Sequence, residues 1–181
     1  CDKAAVHLSL ESAGVIEREA DEFASNLLMP GDVLRARITS QDVDLHLLSG
    51  LAKAFGVSFE ALCIRFIKYT EKRAILLHWD NGFLKYEWRS KSAILSKTRI
   101  RRISEPVEPL RNTVAAEESI SQEWDGLEMP AAVWCVDEQP YMKLLEFKHS
   151  YSGHDRVLTL LILEDAEPRR WDNSWEDPDT A

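Results

Sequence analysis

The chain has 181 residues, of which 45% are hydrophobic and 29% charged, a balance typical of a folded globular protein. Its formal net charge of −9 at pH 7 argues against a general nucleic-acid or membrane-surface binder, because both rely on a basic surface. No apolar run approaches the roughly 20 residues that span a bilayer, and no signal peptide is visible, so we expect a cytoplasmic protein. Three widely spaced cysteines, Cys1, Cys63 and Cys135, suit reduced thiols in that compartment.

The first predicted helix contains the stretch EREADEFASNLLMP and runs from Ile16 to Met29, where Pro30 and Gly31 end it. On a helical wheel of about 100° per residue, five apolar residues share an arc of about 140°. They are Ala20, Phe23, Ala24, Leu27 and Leu28. The charged residues Arg18, Glu19 and Glu22 lie on the opposite side, where water can solvate them. We therefore expect the apolar arc to face the protein interior.

Two carboxylates occupy costly places on this helix. Glu17 lies between Ala24 and Leu28 on the wheel, inside the apolar arc, and Asp21 lies at its edge one turn further on. A carboxylate on a buried face is destabilising unless it is paired or bound to a cation. We expect a positive partner opposite Glu17, either a divalent metal ion or an arginine from another helix. Acidic residues near a helix N-terminus are also favoured by the helix dipole, which requires no active site.

Two further helices are predicted between residues 45 and 69. The first has an apolar series at i, i+3, i+4 and i+7 that ends at Gly56: Leu48, Leu51, Ala52 and Phe55. Ser58 can cap the second, whose buried stripe is Phe59, Leu62, Cys63, Phe66 and Ile67. The pair also resembles a helix-turn-helix. Its second helix offers only Arg65 and Lys68 as outward basic residues, which is few for a recognition helix.

From about Ala74 the pattern changes from helices to strands. AILLHW and FLKYEW flank Asn81-Gly82, a dipeptide that favours a type I′ hairpin turn. After a connecting stretch at 104–130, the further strand candidates are AAVWCV, YMKLLEF and RVLTLLIL, of which the last is apolar enough for a central strand. The sequence predicts an α+β protein, with a helical segment at 1–72 and a small mixed or antiparallel sheet domain at 73–181.

The stretch EREADEFASNLLMP resembles the segment E-x-x-A-[ND]-x-F-A-x-x-L-L-M-P of the ImmA/IrrE family of zinc metallopeptidases, and LAKAFGVSFEALCIRF is similar to that family's next helix pair. The resemblance covers residues 13–70. It implies that 1–72 is the back half of a gluzincin-like catalytic domain. It further implies that Glu17 is the third zinc ligand, and that Asp21 holds a zinc-ligating histidine in place without touching the metal.

The H-E-x-x-H motif of that family supplies two zinc-ligating histidines and the general base, and it occurs nowhere in the 181 residues. The sequence starts with Cys1 at about the point where that helix would finish, so we expect that an N-terminal portion is lacking. A single glutamate does not hold zinc as three ligands do. We therefore expect zinc in the full-length protein, and neither catalytic zinc nor peptidase activity in this chain alone.

The resemblance implies a regulated endopeptidase of the bacterial or phage cytoplasm that cleaves a helix-turn-helix repressor, with 73–181 as a recognition or sensing domain. Neither a membrane nor nucleic acid is expected as a direct partner. The alternative is a non-catalytic regulatory module that sequesters a repressor or binds DNA itself. Two weaker candidates are the basic stretch at 91–103, more simply a solvated edge, and His149 with His154 and Asp155, a possible metal site or incidental loop residues.

Overall fold

The computed structural model describes residues 19–20, 22–39, 42–153 and 155–166. Within them, helices precede a five-stranded antiparallel sheet, so the predicted α+β class is confirmed. The helices are α1 (residues 19–20 and 22–28), α2 (Gly31–Thr39), α3 (Leu45–Phe55), α4 (Phe59–Tyr69), α5 (Lys91–Leu95) and α6 (Ala131–Trp134). The strands are β1 (Arg73–Asp80), β2 (Phe83–Arg89), β3 (Arg99–Ile100), β4 (Gln122–Pro130), β5 (Cys135–Val136), β6 (Lys143–Ser150) and β7 (Arg156–Leu163).

The helix ends follow local capping chemistry. Asp44 caps α3 by accepting a hydrogen bond from the Leu47 amide at 2.7 Å. Gly56 ends α3 with φ of 67°, a left-handed conformation that favours glycine, and Ser58 caps α4, both as predicted. Helix α2 was not predicted, because Pro30 and Gly31 are typical of the end of a helix. The structure shows that α2 begins at Gly31 and buries Leu34 and Ile38.

The large sheet has the strand order β2-β1-β7-β6-β4, so the apolar run RVLTLLIL is a central strand, as predicted. Asn81 and Gly82, with φ of 51° and 80°, form the tight turn between β1 and β2. Two strand predictions were wrong. Strand β4 lies in the stretch predicted to be a connection, and most of AAVWCV forms α6 before the two-residue strand β5.

The sheet is buried on both faces. On one face, α2, α3 and α4 pack against a set of sheet residues: Ala74, Leu76, Phe147, Leu160 and Ile162. The other face is covered by α5, α6 and the loop 104–121, around a second core that contains Trp79 and Trp134. Helices and sheet thus share a core, while the division into 1–72 and 73–181 stays a prediction.

Among the described residues, no single helix is long and apolar enough to cross a bilayer. Helices α3 and α4 meet the length and composition only as a pair, and that pair is bent by 109°. Both contribute buried residues to the core beneath the sheet.

Candidate functional site

Helix α1 carries the residues that follow Glu17 and Asp21, and α4 holds its C-terminal end. The Arg65 guanidinium donates from Nε and Nη2 to the Met29 carbonyl oxygen at 3.2 and 3.0 Å, and from Nη2 to Asn26 Oδ1 at 2.6 Å. Carbonyls at the end of a helix lack partners within the helix and carry partial negative charge. A cation placed there both satisfies them and fixes α1 on α4.

A second polar contact joins the two helices one turn earlier. Lys68 Nζ donates to Glu22 Oε1 at 2.5 Å. This hydrogen bond lowers the pKa of the Glu22 carboxyl below its ordinary value. Both side chains are exposed, so the pair orients α1 more than it stabilises the fold.

Arg65 is therefore not the outward basic residue that the sequence predicted. It is 4% exposed, and its guanidinium lies 4.7 Å from the centre of the Tyr69 ring. The reason is that its charge finds acceptors on α1, which allows burial without a carboxylate partner. Consequently Arg65 is unavailable for contacts with nucleic acid.

The apolar arc of α1 does not face the interior of the described structure. Phe23 and Leu27 are 70% and 68% exposed, and Leu28 is exposed as well. The contacts with α4 come instead from Glu22, Asn26 and Met29, on the opposite side of the helix. The expectation of a buried arc was wrong because α4 presents the two cations, Arg65 and Lys68, which match the polar side of α1.

Glu17 and Asp21, the predicted zinc ligand and its supporting acid, lie outside the described residues, so their roles stay predictions. In the part of the chain that the structure describes, no group of three or more His, Cys, Asp and Glu side chains could hold a metal ion. The alternative partner expected for Glu17 was an arginine from another helix. Arg65 of α4 is an arginine that contacts α1. Its described acceptors lie on the side of α1 opposite the arc that contains position 17 on the wheel.

The start of α2 is held against the same end of α4. A Cβ atom at Gly31 would lie 2.4 Å from Tyr69 Cε1, so only glycine allows this approach without a shift of the ring. The Tyr69 ring also contacts the Arg35 guanidinium at 5.5 Å. Pro30 and Gly31 therefore make a tight corner between α1 and α2, both of which rest on α4.

Sequence reasoning missed several polar groups that pack on the two faces of the sheet, most of them buried. Glu60 of α4 and His78 of β1 are 2.6 Å apart and join the helices to the sheet. On the other face, Glu146 and Lys148 are buried two residues apart on β6. Their signal was present in the sequence, since charged residues inside the mostly apolar strand KLLEFKHS indicate a polar contact in the core.

The two weaker candidates receive ordinary structural roles as far as they are described. His149 contacts Gln122 Oε1 at 2.8 Å, and burial lowers the pKa of its imidazole. His154, its proposed metal partner, lies outside the described residues. In the basic stretch, Arg102 donates to Glu87 Oε2 at 2.9 Å, which is consistent with a solvated edge.

The N-terminal part of the chain is metallopeptidase-like in its sequence. Residues 3–66 match the Peptidase_M78 family model, described as the IrrE N-terminal-like domain. The resemblance to the ImmA/IrrE family predicted from the sequence is therefore confirmed over this segment. The match ends within α4, before the sheet begins. No curated protein matches the chain.

Proposed function

We propose that this chain is part of a zinc-dependent endopeptidase of the ImmA/IrrE type that cleaves a helix-turn-helix transcriptional repressor in the cytoplasm. The observation that carries the proposal is the family match over residues 3–66, which includes EREADEFASNLLMP. In this proposal, Glu17 is the third zinc ligand and Asp21 holds a ligating histidine in place.

The exposed side of α1 supports this assignment. On the helical wheel, positions 17 and 21 fall next to Ala24 and Leu28, both of which are exposed. The rest of a gluzincin-like catalytic domain would have to pack on this apolar side and bring its histidines there. Helix α4, which contacts the opposite side, would then support α1 without competing for the two carboxylates.

The residues of this chain do not fit a catalytic zinc ion by themselves. They supply one ligand of the expected three, and the two histidines and the general base belong to an H-E-x-x-H motif that these 181 residues lack. We therefore propose that, alone, this chain binds no catalytic zinc and cleaves no peptide.

A non-catalytic binding module is the second candidate. Its DNA-binding form has little support, since Lys68 is the one exposed residue of α4, whereas a recognition helix must present a whole face to the groove. Sequestering a repressor is better supported. The exposed apolar residues of α1 offer a contact surface, and a net charge of −9 suits a basic DNA-binding target.

The deciding experiment reads the coding sequence upstream of Cys1 and expresses the protein with the residues that it encodes in frame. Cleavage of the repressor by this longer protein is then measured with and without a zinc chelator. If an in-frame H-E-x-x-H precedes the chain, Glu17→Gln should abolish zinc-dependent cleavage. Glu19→Gln is the matched control, because position 19 lies on the opposite side of the wheel and should leave cleavage unchanged.

Two results would count against the proposal. Cleavage that persists in Glu17→Gln would remove the ligand assignment. About one equivalent of zinc retained by the 181-residue chain after dialysis would contradict the expectation that three ligands are required. An upstream stop codon or unrelated sequence would instead favour the repressor-sequestering module.

A further inference from the structure

A cleft of about 920 Å³ opens at one end of the sheet, on the face away from α3 and α4. Its floor is formed by neighbouring positions on the central strands: Trp79 of β1, Val157 of β7 and the pair Lys148 and Ser150 of β6. Part of the loop 104–121 forms the wall. The volume lies within the range that small-molecule sites occupy in proteins.

Lys148 places a nearly buried cation in this cleft. Its side chain is 3% exposed, and burial lowers the pKa of its ammonium. Among the described residues, Nζ makes one hydrogen bond, to the Glu117 carbonyl oxygen at 2.8 Å. An ammonium has three N–H donors, so Lys148 has donors left for oxygen atoms of a bound molecule.

The neighbouring acid on the same strand does not use these donors. Glu146 is fully buried, with one carboxylate oxygen 2.7 Å from the Ala115 amide and the other 3.0 Å from Trp134 Nε1, both of which donate to it. Burial also raises the pKa of the Glu146 carboxyl, which favours its neutral form. Among the residues that the structure describes, Lys148 is thus a buried cation without a carboxylate in direct contact, a costly arrangement in the absence of an added anion.

The charge of the cleft changes sign with depth. Lys148 lies at the floor, while the carboxylates of Glu108, Glu118 and Asp155 line the exposed rim. Arg156 also lines the cleft, but its guanidinium lies over the Tyr151 ring at 5.1 Å, on the side of the sheet that faces α4. The remaining wall is largely apolar: Phe83, Pro109, Ala115 and Ala116.

We propose that this cleft binds a small zwitterion of the amino-acid type, with its carboxylate on the Lys148 ammonium and its own ammonium among the rim carboxylates. A multiply charged anion such as phosphate would be attracted by Lys148 and repelled by the three rim acids. A simple cation would be attracted by the three rim acids and repelled by Lys148. A zwitterion of amino-acid length matches both signs, and the apolar wall accommodates an uncharged side chain. This site is independent of the proposed zinc site.

The test is a titration of the ¹⁵N-labelled chain with free amino acids that have uncharged side chains, each beside its N-acetyl and its carboxamide derivative. The Trp79 indole N–H and the Ala115 amide report from the floor and the wall. At least one free amino acid should shift both signals saturably at millimolar concentration. Its two derivatives, which each lack one charge, should bind about tenfold more weakly or worse.

Lys148→Gln should weaken binding of that amino acid by about tenfold or more, as expected for a lost charge-assisted contact. Lys143→Gln is the matched control, because Lys143 lies on the same strand, outside the cleft, and pairs with Glu128 on the surface. If Lys148→Gln does not fold, Glu118→Gln serves instead. It should weaken binding of the free amino acid and leave the N-acetyl derivative unaffected.

Three results would overturn the proposal. No free amino acid shifts the two signals at millimolar concentration, or Lys148→Gln binds as the unchanged chain does. In the third, an N-acetyl derivative binds as tightly as its parent amino acid, which would make the ligand a simple carboxylate. Because the measurement is binding to the sheet, none of these results bears on zinc or on peptidase activity.

Discussion

Arg73 and Lys148 are two nearly buried cations on one face of the same sheet, 2% and 3% exposed, with different surroundings. Arg73 lies at the start of β1, and its guanidinium has four acceptors. They are Ser96 Oγ at 2.9 Å, Thr98 Oγ1 at 2.8 Å, Glu138 Oε1 at 2.5 Å and the Glu164 carbonyl at 2.8 Å. Lys148 lies toward the other end of the face, where it donates to the Glu117 carbonyl oxygen and lines the cleft.

The difference separates two uses of buried charge. A cation that donates to several protein acceptors joins segments distant in sequence, as Arg73 joins β1 to residues 96, 98, 138 and 164. A cation with unused donors beside a cleft is costly to the fold and available to a ligand. Burial alone does not distinguish them; the number of acceptors does.

The largest predicted effect comes from removing the carboxylate that pairs with Arg73. Glu138→Ala leaves Arg73 buried without a carboxylate, and loss of one partner of a buried pair costs about 3–5 kcal/mol. We expect the free energy of unfolding, measured in urea, to fall by that amount. Asp137→Asn is the control, because the Asp137–Arg99 pair is exposed and should contribute about 1 kcal/mol or less. Equal losses in both variants would remove the distinction between the two kinds of charge.

An intermediate and local effect is predicted for Arg65, a third buried cation that uses carbonyl and amide acceptors. Arg65→Met removes its hydrogen bonds to Met29 and Asn26, and hydrogen bonds of charged groups contribute about 1.5–3 kcal/mol each. Amides at 22–29 should lose protection in hydrogen exchange, while those of β1 and β7 keep theirs. Lys68→Gln should change both little. An equal loss throughout the sheet would show that Arg65 supports the whole core and not α1.

The smallest effect is a change in pH dependence at Glu146. Its pKa in the folded state is raised by burial, so the folded chain holds this proton more tightly than the unfolded chain. The stability that Glu146 contributes is therefore greatest at low pH and is lost as pH rises through the raised pKa. Urea unfolding between about pH 4 and 7 should show the unchanged chain losing stability relative to Glu146→Gln. The opposite slope would mean that the buried carboxylate is held ionised.

Local signals made part of this fold predictable. Gly56, Ser58 and Asn81-Gly82 act within a few residues, and each forms the predicted end or turn. Strand β4 could not be predicted in this way, since it contains Gly126 at φ of 90° packed against Phe147, where a Cβ would lie 2.6 Å from the ring. That contact depends on the register of β4 on β6, which no local pattern contains.

The candidate sites likewise include residues that local sequence could predict and residues that depend on contacts distant in the chain. Glu17 and Asp21 could be singled out because one helix and one motif contain both. The burial of Arg65 could not, because its acceptor Met29 lies 36 residues away in the chain. The cleft around Lys148 was also invisible, since its floor forms only when three strands from residues 73 to 163 align.

The central position of β7 has a consequence for how the protein is made. The strand Arg156–Leu163 pairs with β1 on one side and β6 on the other, so it joins two hairpin-like halves that are otherwise unconnected in the sheet. Its residues Leu160 and Ile162 also pack against the helices. During synthesis, everything from α2 to β6 leaves the ribosome before the strand that unites it. Until residue 163 emerges, the edges of β1 and β6 that will pair with β7 have no partner strand. We therefore expect aggregation through these open edges to compete with the last step of sheet assembly.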